Sequence, residues 1–137
     1  MDTVAVIDFE TTGISPDAGA RATEIAAVLV RDGRVVGRYQ SLMNAGAWVS
    51  PFIEQLTGIT NEMVRAAPPA AKVMREVADF VGAHPMVAHN ASFDCRFWDA
   101  ELGRIRRARV QAFACTMLLA RRIYPEAPNH KLGTLVE

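Results

Sequence analysis

Val4-Ala5-Val6-Ile7-Asp8-Phe9-Glu10-Thr11-Thr12-Gly13 decides how this chain is read. Residues 4–9 are an almost unbroken apolar run, which reads as a buried strand, and acids sit inside and just past it. Taking an unpaired carboxylate out of water costs several kcal/mol, roughly, so something must offset the charge. Asp8 and Glu10 are two residues apart, so on a strand both side chains point to one face. Ordinary strand rise puts their Cα atoms about 6.6–6.8 Å apart, a span that one or two bridging cations can close. Hard oxygen donors select Mg2+ or Mn2+ over softer metals. The plainer alternative is that the two acids only open a surface loop. An Asp-x-Asp-x-Thr phosphoryl-transfer pattern fits poorly, because the second acid is Glu10 and Gly13 follows at once.

Outward from this stretch, Ile14–Ala20 is a loop by composition. Residues 22–31 and 34–43 read as strands around Asp32-Gly33, a strong two-residue hairpin signal. The opening is therefore a three-strand meander, with Glu24 an ordinary exposed strand residue. Pro51 to Gly58 reads as a helical stretch ended by glycine, and residues 59–64 as a short helix capped by Thr60. Val73, Val77, Phe80 and Val81 recur at helical spacing, which predicts a helix over 70–81 closed by Gly82. Residues 86–89 read as a short buried strand and 93–102 as a helix with Asp94 in its first turn. Residues 110–114 are expected to form a last strand, followed by helical patterns over 116–122 and from about 129 to Glu137. The sum is an α/β domain with a mixed central sheet of about five strands flanked by helices. Sites in such sheets form at the carboxyl ends of parallel strands. Asp8, Glu10 and Asp94 all fall at such ends.

At 137 residues, half of them apolar, the chain suits a single globular domain with a real core. Two cysteines, Cys95 and Cys115, and no amino-terminal signal peptide predict a reducing, cytoplasmic setting with the thiols buried rather than bridged. No apolar run approaches the length of a membrane span. Formal charge is zero, but residues 1–68 carry −3 and residues 69–137 carry +3. Arg104, Arg106, Arg107 and Arg109 form a basic cluster, read either as a phosphate contact or as a solvated helix end. His84, His89 and His130 stand apart and read as structural or surface residues.

Three carboxylates meeting in one cleft raise each other's pKa values, and a divalent ion removes the conflict. Two ions about 3.5–4 Å apart can activate water and stabilise the departing oxygen of a phosphodiester. Asp8 is expected to bridge them from the most buried position. For Asp94 the structural alternative is a favourable helix-dipole interaction, about 0.3–1 kcal/mol.

Asp8-Phe9-Glu10-Thr11-Thr12-Gly13, Gly58-Ile59-Thr60-Asn61-Glu62-Met63-Val64 and His89-Asn90-Ala91-Ser92-Phe93-Asp94 together resemble the first two signature motifs of the DnaQ-like, DEDD-type 3′–5′ exonucleases. The replicase epsilon proofreading subunit belongs to that family. The resemblance implies a ribonuclease H-like fold and two-metal hydrolysis that releases nucleoside monophosphates from a 3′ end in DNA proofreading or repair. It assigns Asp8, Glu10 and Asp94 as catalytic metal ligands. Thr11, Thr12 and Gly13 would meet the terminal nucleotide, Ile59 and Met63 would wedge against its base, Phe93 would line the pocket, and Asn90 would hold the motif or touch phosphate. For Ile59, Met63 and Phe93, core packing is the alternative.

The family's third motif, a histidine followed by an aspartate four or five residues on, has no counterpart up to Glu137, and residues 1–137 are expected to be one exonuclease domain cut before its carboxy-terminal helix. The expected substrate is a single-stranded or frayed DNA 3′ end, with RNA as an alternative and a replicative polymerase as a candidate partner. A catalytically impaired module that binds nucleic-acid ends, or a polymerase-associated subunit, is the non-enzymatic alternative.

Overall fold

A computed structural model describes residues 3–115. Strand β1 (Thr3–Thr11) runs into a loop containing one short 3-10 turn, then β2 (Ala22–Arg31) and β3 (Arg34–Leu42) follow as an antiparallel hairpin. Asp32 and Gly33 both have positive φ, 54° and 74°, the backbone that a type I′ turn needs. Next come α1 (Pro51–Thr57), α2 (Asn61–Ala66) and α3 (Ala70–Val81), then β4 (Met86–Ala88), α4 (Ala91–Arg104) and β5 (Phe113–Cys115). The five strands lie in the order β3-β2-β1-β4-β5, with β4 parallel to β1 and β5 parallel to β4. This is the mixed sheet of about five strands that the sequence predicts.

Strand β1 is half-buried rather than buried throughout. Ala5, Ile7 and Phe9 are at most 4% exposed, whereas Val6 between them is 40% exposed and Asp8 is also exposed. The buried alternation packs into one core with Val73, Val77 and Val81 of α3 and Phe97, Trp98 and Leu102 of α4. Fully burying a side chain such as Phe97 contributes about 1.5–3 kcal/mol. The periodicity of α3 works as expected, and its bounds agree with the sequence.

Other boundaries move. Helix α4 starts at Ala91, two residues before the sequence signal, because the chain turns directly from β4 through Asn90, whose side chain makes no cap bond. The last strand is Phe113–Cys115 rather than 110–114: Val110 is 82% exposed, and Arg109 holds the approach by bonding Asp99 and the Gln111 carbonyl. Thr60 caps α2 by accepting the Met63 N–H at 3.0 Å, so that helix begins at Asn61. The helices expected over 116–122 and 129–137 lie outside the described residues.

Candidate active site

Two routes of the chain meet beside the end of β1. The strand carries Asp8 and Glu10 on its more open face. Strand β4 ends at Ala88 and turns at once into α4, whose first turn carries Asp94. Because β4 is parallel to β1, this places the head of α4 next to β1, where the Phe9 N–H donates to Asp94 Oδ1 at 3.2 Å. Asp94 is only 4% exposed. It is thus the buried acid of the set, while Asp8, expected to be the most buried, is exposed. The reason is packing: α4 covers the Phe9 side of the strand, and the alternation of β1 turns Asp8 the other way.

The electrostatics tie these groups together. Burial, then the Asp8 charge and more weakly the Glu10 charge, push the Asp94 carboxyl up to about 7, against the lowering effect of the Phe9 N–H. Although Asp8 is exposed, the partial burial of its carboxyl and the Glu24 charge raise it above the ordinary range. Glu10 is raised by burial, by Asp8 and by Glu24. Glu24 is the acid that sequence reasoning passed over. It faces Glu10 directly across the β1–β2 ladder and also accepts a bond from Gln40 Nε2 at 3.2 Å. Only the antiparallel register reveals it, since like charges placed opposite in a ladder are destabilising and call for a compensating group.

A cleft of about 590 Å³ opens beside these acids, lined by Val6, Ile7, Asp8, His89, Asn90, Phe93 and Asp94. Phe93 is half-buried and packs against Phe97 with ring centroids 4.8 Å apart and planes tilted by 47°, which holds it in the cleft wall. Asn90 is exposed, and its carbonyl accepts the Phe93 and Asp94 N–H groups. The Thr11-Thr12-Gly13 turn is held tightly. Thr11 Oγ1 donates to the Gly13 carbonyl at 2.6 Å, and Thr12 exchanges bonds with Arg21, its N–H donating to the Arg21 carbonyl at 2.9 Å and its Oγ1 accepting the Arg21 N–H at 3.0 Å. Gly13 sits closely against the loop: a Cβ there would stand 3.2 Å from that of Ala20, which would have to give by a few tenths of an ångström.

Ile59 and Met63 part company. Ile59 is 4% exposed and packs with Val49 and Val64 in a small second core, so its surroundings are those of the packing alternative. Met63 is 38% exposed. Of the arginine cluster, Arg107 pairs with Asp79 and Arg109 with Asp99, each at 3.0 Å, and Arg109 also lies over the Phe113 ring at 5.8 Å. Half of the cluster is therefore engaged within the chain.

The donors fit a hard divalent cation by type and charge, since all four are carboxylates and three of them are raised by burial and then by charges of the same set. Among the described residues, however, no three His, Cys, Asp or Glu side chains already stand as a ready cation cage. Carboxylates that raise each other's pKa are eased by a positive charge placed among them. Among the described residues, too, no helix is long and apolar enough to cross a membrane.

The chain resembles known proteins in both sequence and fold. The chain is 36% identical over 135 residues to the PolC-type DNA polymerase III of Bacillus cereus, a match that takes in 98% of this chain and 9% of that protein. It is 38% identical over 136 residues to the 3′-5′ exonuclease DinG of Bacillus subtilis, covering 96% of this chain and 14% of DinG. The chain thus spans roughly a tenth of the length of the PolC-type relatives it matches. Among solved structures, exonuclease X in complex with 5′ overhanging duplex DNA superposes with a TM-score of 0.72 at 31% identity, covering 92% of this chain and 67% of that one. E. coli exonuclease I in complex with a dA16 oligonucleotide shares the fold, with a TM-score of 0.80 at 20% identity over 94% of this chain and 32% of its own. The fold is ribonuclease H-like, as the resemblance implies. The exonuclease family model, RNase T, matches residues 5–137, and the chain belongs to that family.

Proposed function

We propose that residues 1–137 act as one exonuclease domain that hydrolyses the terminal phosphodiester at a nucleic-acid 3′ end and releases a nucleoside monophosphate. The observation that carries this is Asp94: a buried acid, anchored by the Phe9 N–H and raised by Asp8 and Glu10, beside a cleft large enough for a nucleotide. Asp8, Glu10 and Asp94 would hold Mg2+ or Mn2+, two ions in the full site, and Glu24 adds negative charge beside them. Such ions, when bound, supply charge neutralisation at the phosphate and a water of lowered pKa.

The chain's own groups do the rest. The Thr11-Thr12-Gly13 turn receives the terminal sugar and its 3′-hydroxyl. Phe93 offers a fixed aromatic face along the cleft, and Asn90 a polar contact at its rim. Met63, open to solvent, lies against the base, while Ile59 supports it from within the small core. The preferred substrate is a single-stranded or frayed DNA end, in proofreading or repair; similarity to a DNA polymerase III and to a 3′-5′ exonuclease supports DNA and the 3′ end. A polymerase partner is part of the same reading, as is a reducing cytoplasmic setting, which the free thiol of Cys95 suits.

The experiment is incubation of the chain with a 5′-labelled single-stranded oligonucleotide in Mg2+ or Mn2+, and again in chelator. A ladder shortening from the 3′ end with mononucleotide release supports the reading, and intact substrate in all conditions refutes it. The second reading is a module that binds nucleic-acid ends with little turnover, and for it a gel shift with the same oligonucleotide gives binding without shortening. A matched RNA oligonucleotide in parallel decides the sugar preference, through the 2′-hydroxyl.

A further inference from the structure

Glu101 is 2% exposed on α4, seven residues after Asp94, so the two buried acids lie two turns apart on one stripe of the helix. Arg21 approaches it as a fork, with Nε donating to Oε2 and Nη2 to Oε1, both at 2.9 Å. Glu101 Oε2 also accepts the Ala22 N–H at 3.2 Å, and Arg21 Nη1 donates to the Ala45 carbonyl at 3.3 Å. The backbone of Arg21 is in turn the partner of Thr12 on both sides. One side-chain pair therefore joins α4, the start of β2, the loop at Ala45 and the Thr12 turn. A buried ion pair is poor at adding net stability compared with an apolar pair of like volume, but a bidentate fork is strict about geometry.

We infer that Arg21 and Glu101 are positioning residues, a clamp that holds the Thr11-Thr12-Gly13 turn in register with α4 so that the turn and Asp94 address the same 3′ end. The part concerning the 3′ end rests on the proposed exonuclease reading, while the clamp itself does not. Helix α4 is then fixed to the β1–β2 hairpin at two points, Asp94 on Phe9 and Glu101 on Ala22. Shape alone, without the fork, leaves the turn free to drift.

The test uses Glu101→Gln, which keeps the shape, and the apolar pair Arg21→Met with Glu101→Leu, which keeps the volume and leaves no buried charge alone. Amide hydrogen exchange is followed by NMR in the absence of metal, and hydrolysis of a single-stranded oligonucleotide is followed in Mn2+. The clamp predicts that the Thr12 amide exchanges about tenfold faster in both variants while core amides such as Val77 keep their protection. It also predicts a rise in KM of about tenfold in the apolar pair, larger than any fall in kcat. Arg21→Lys, which keeps the charge and loses the fork, is expected to recover part of the lost protection. Unchanged exchange at Thr12, or exchange that speeds up uniformly through the core, overturns the clamp. A wild-type chain without hydrolysis whose variants still show the local change at Thr12 overturns the exonuclease reading and upholds the clamp.

Discussion

Asp94→Asn is expected to make the metal-free protein more stable at neutral pH while removing the proposed nuclease activity. In the folded chain the Asp94 carboxyl stands at about 7, against 3.8 for the free side chain. The sign follows from proton binding. Between those two values the folded state holds a proton that the unfolded state has released, so stability falls as pH rises through the window. The stabilising contribution is fully present below about 4 and lost above about 7. At about 1.36 kcal/mol per pH unit, charging Asp94 in place costs at most about 4 kcal/mol. Water reaches its neighbour Asp8, and the acids can move apart, so a discounted figure of about 2–3 kcal/mol is the working value. Asparagine removes the charge but keeps an oxygen for the Phe9 N–H. Urea denaturation in chelator, compared at pH 4 and pH 8, measures this. The variant should gain about 2–3 kcal/mol over the wild type at pH 8 and little at pH 4. Equal or lower stability of Asp94→Asn at pH 8 refutes the claim that burial, with the charges of Asp8 and Glu10, penalises the ionised Asp94, and returns it to an ordinary helix-start acid.

Three further outcomes are expected. Glu24→Gln removes a charge that raises both Asp8 and Glu10, so carbon-detected NMR titration should find both carboxyls lower than in the wild type; unmoved titration curves contradict the cross-strand coupling. Gly58 caps α1 at φ 76°, a left-handed conformation. Gly58→Ala should cost about 1–2 kcal/mol in urea denaturation, and an unchanged midpoint would mean that the cap relaxes. Phe97 is fully buried between Phe9 and Phe93. Phe97→Ala should cost about 3–5 kcal/mol by the same method, and a loss below 1 kcal/mol, roughly, would mean that the core beneath the cleft collapses to fill the gap.

The elements that were legible in the sequence are those whose signal is local. Asp32-Gly33 needs only its own two residues to make the turn, and α3 is defined by its own apolar stripe and by Gly82. Where tertiary contact decides, the sequence misleads. Val110 is apolar yet lies outside the sheet, because Arg109 is drawn to Asp99 and the Gln111 carbonyl. Motif spacing places Asp8, Glu10 and Asp94 near one another, but not which of them is buried, since that depends on the side of β1 that α4 covers. Glu24 looks like any exposed strand residue until the register sets it opposite Glu10. Ile59 sits in a recognisable motif, and only packing against Val49 and Val64 reveals how deeply it is held.

Asp8, Glu10 and Asp94 are proposed to form one divalent-cation site. Binding of Mn2+ alone, followed by electron paramagnetic resonance as loss of the free-ion signal, tests it without requiring turnover. The wild-type chain should take up Mn2+ at a saturable site, and Asp8→Ala and Asp94→Asn should each abolish or weaken that uptake by an order of magnitude, roughly. Uptake of the ion by both variants with wild-type affinity would contradict the account.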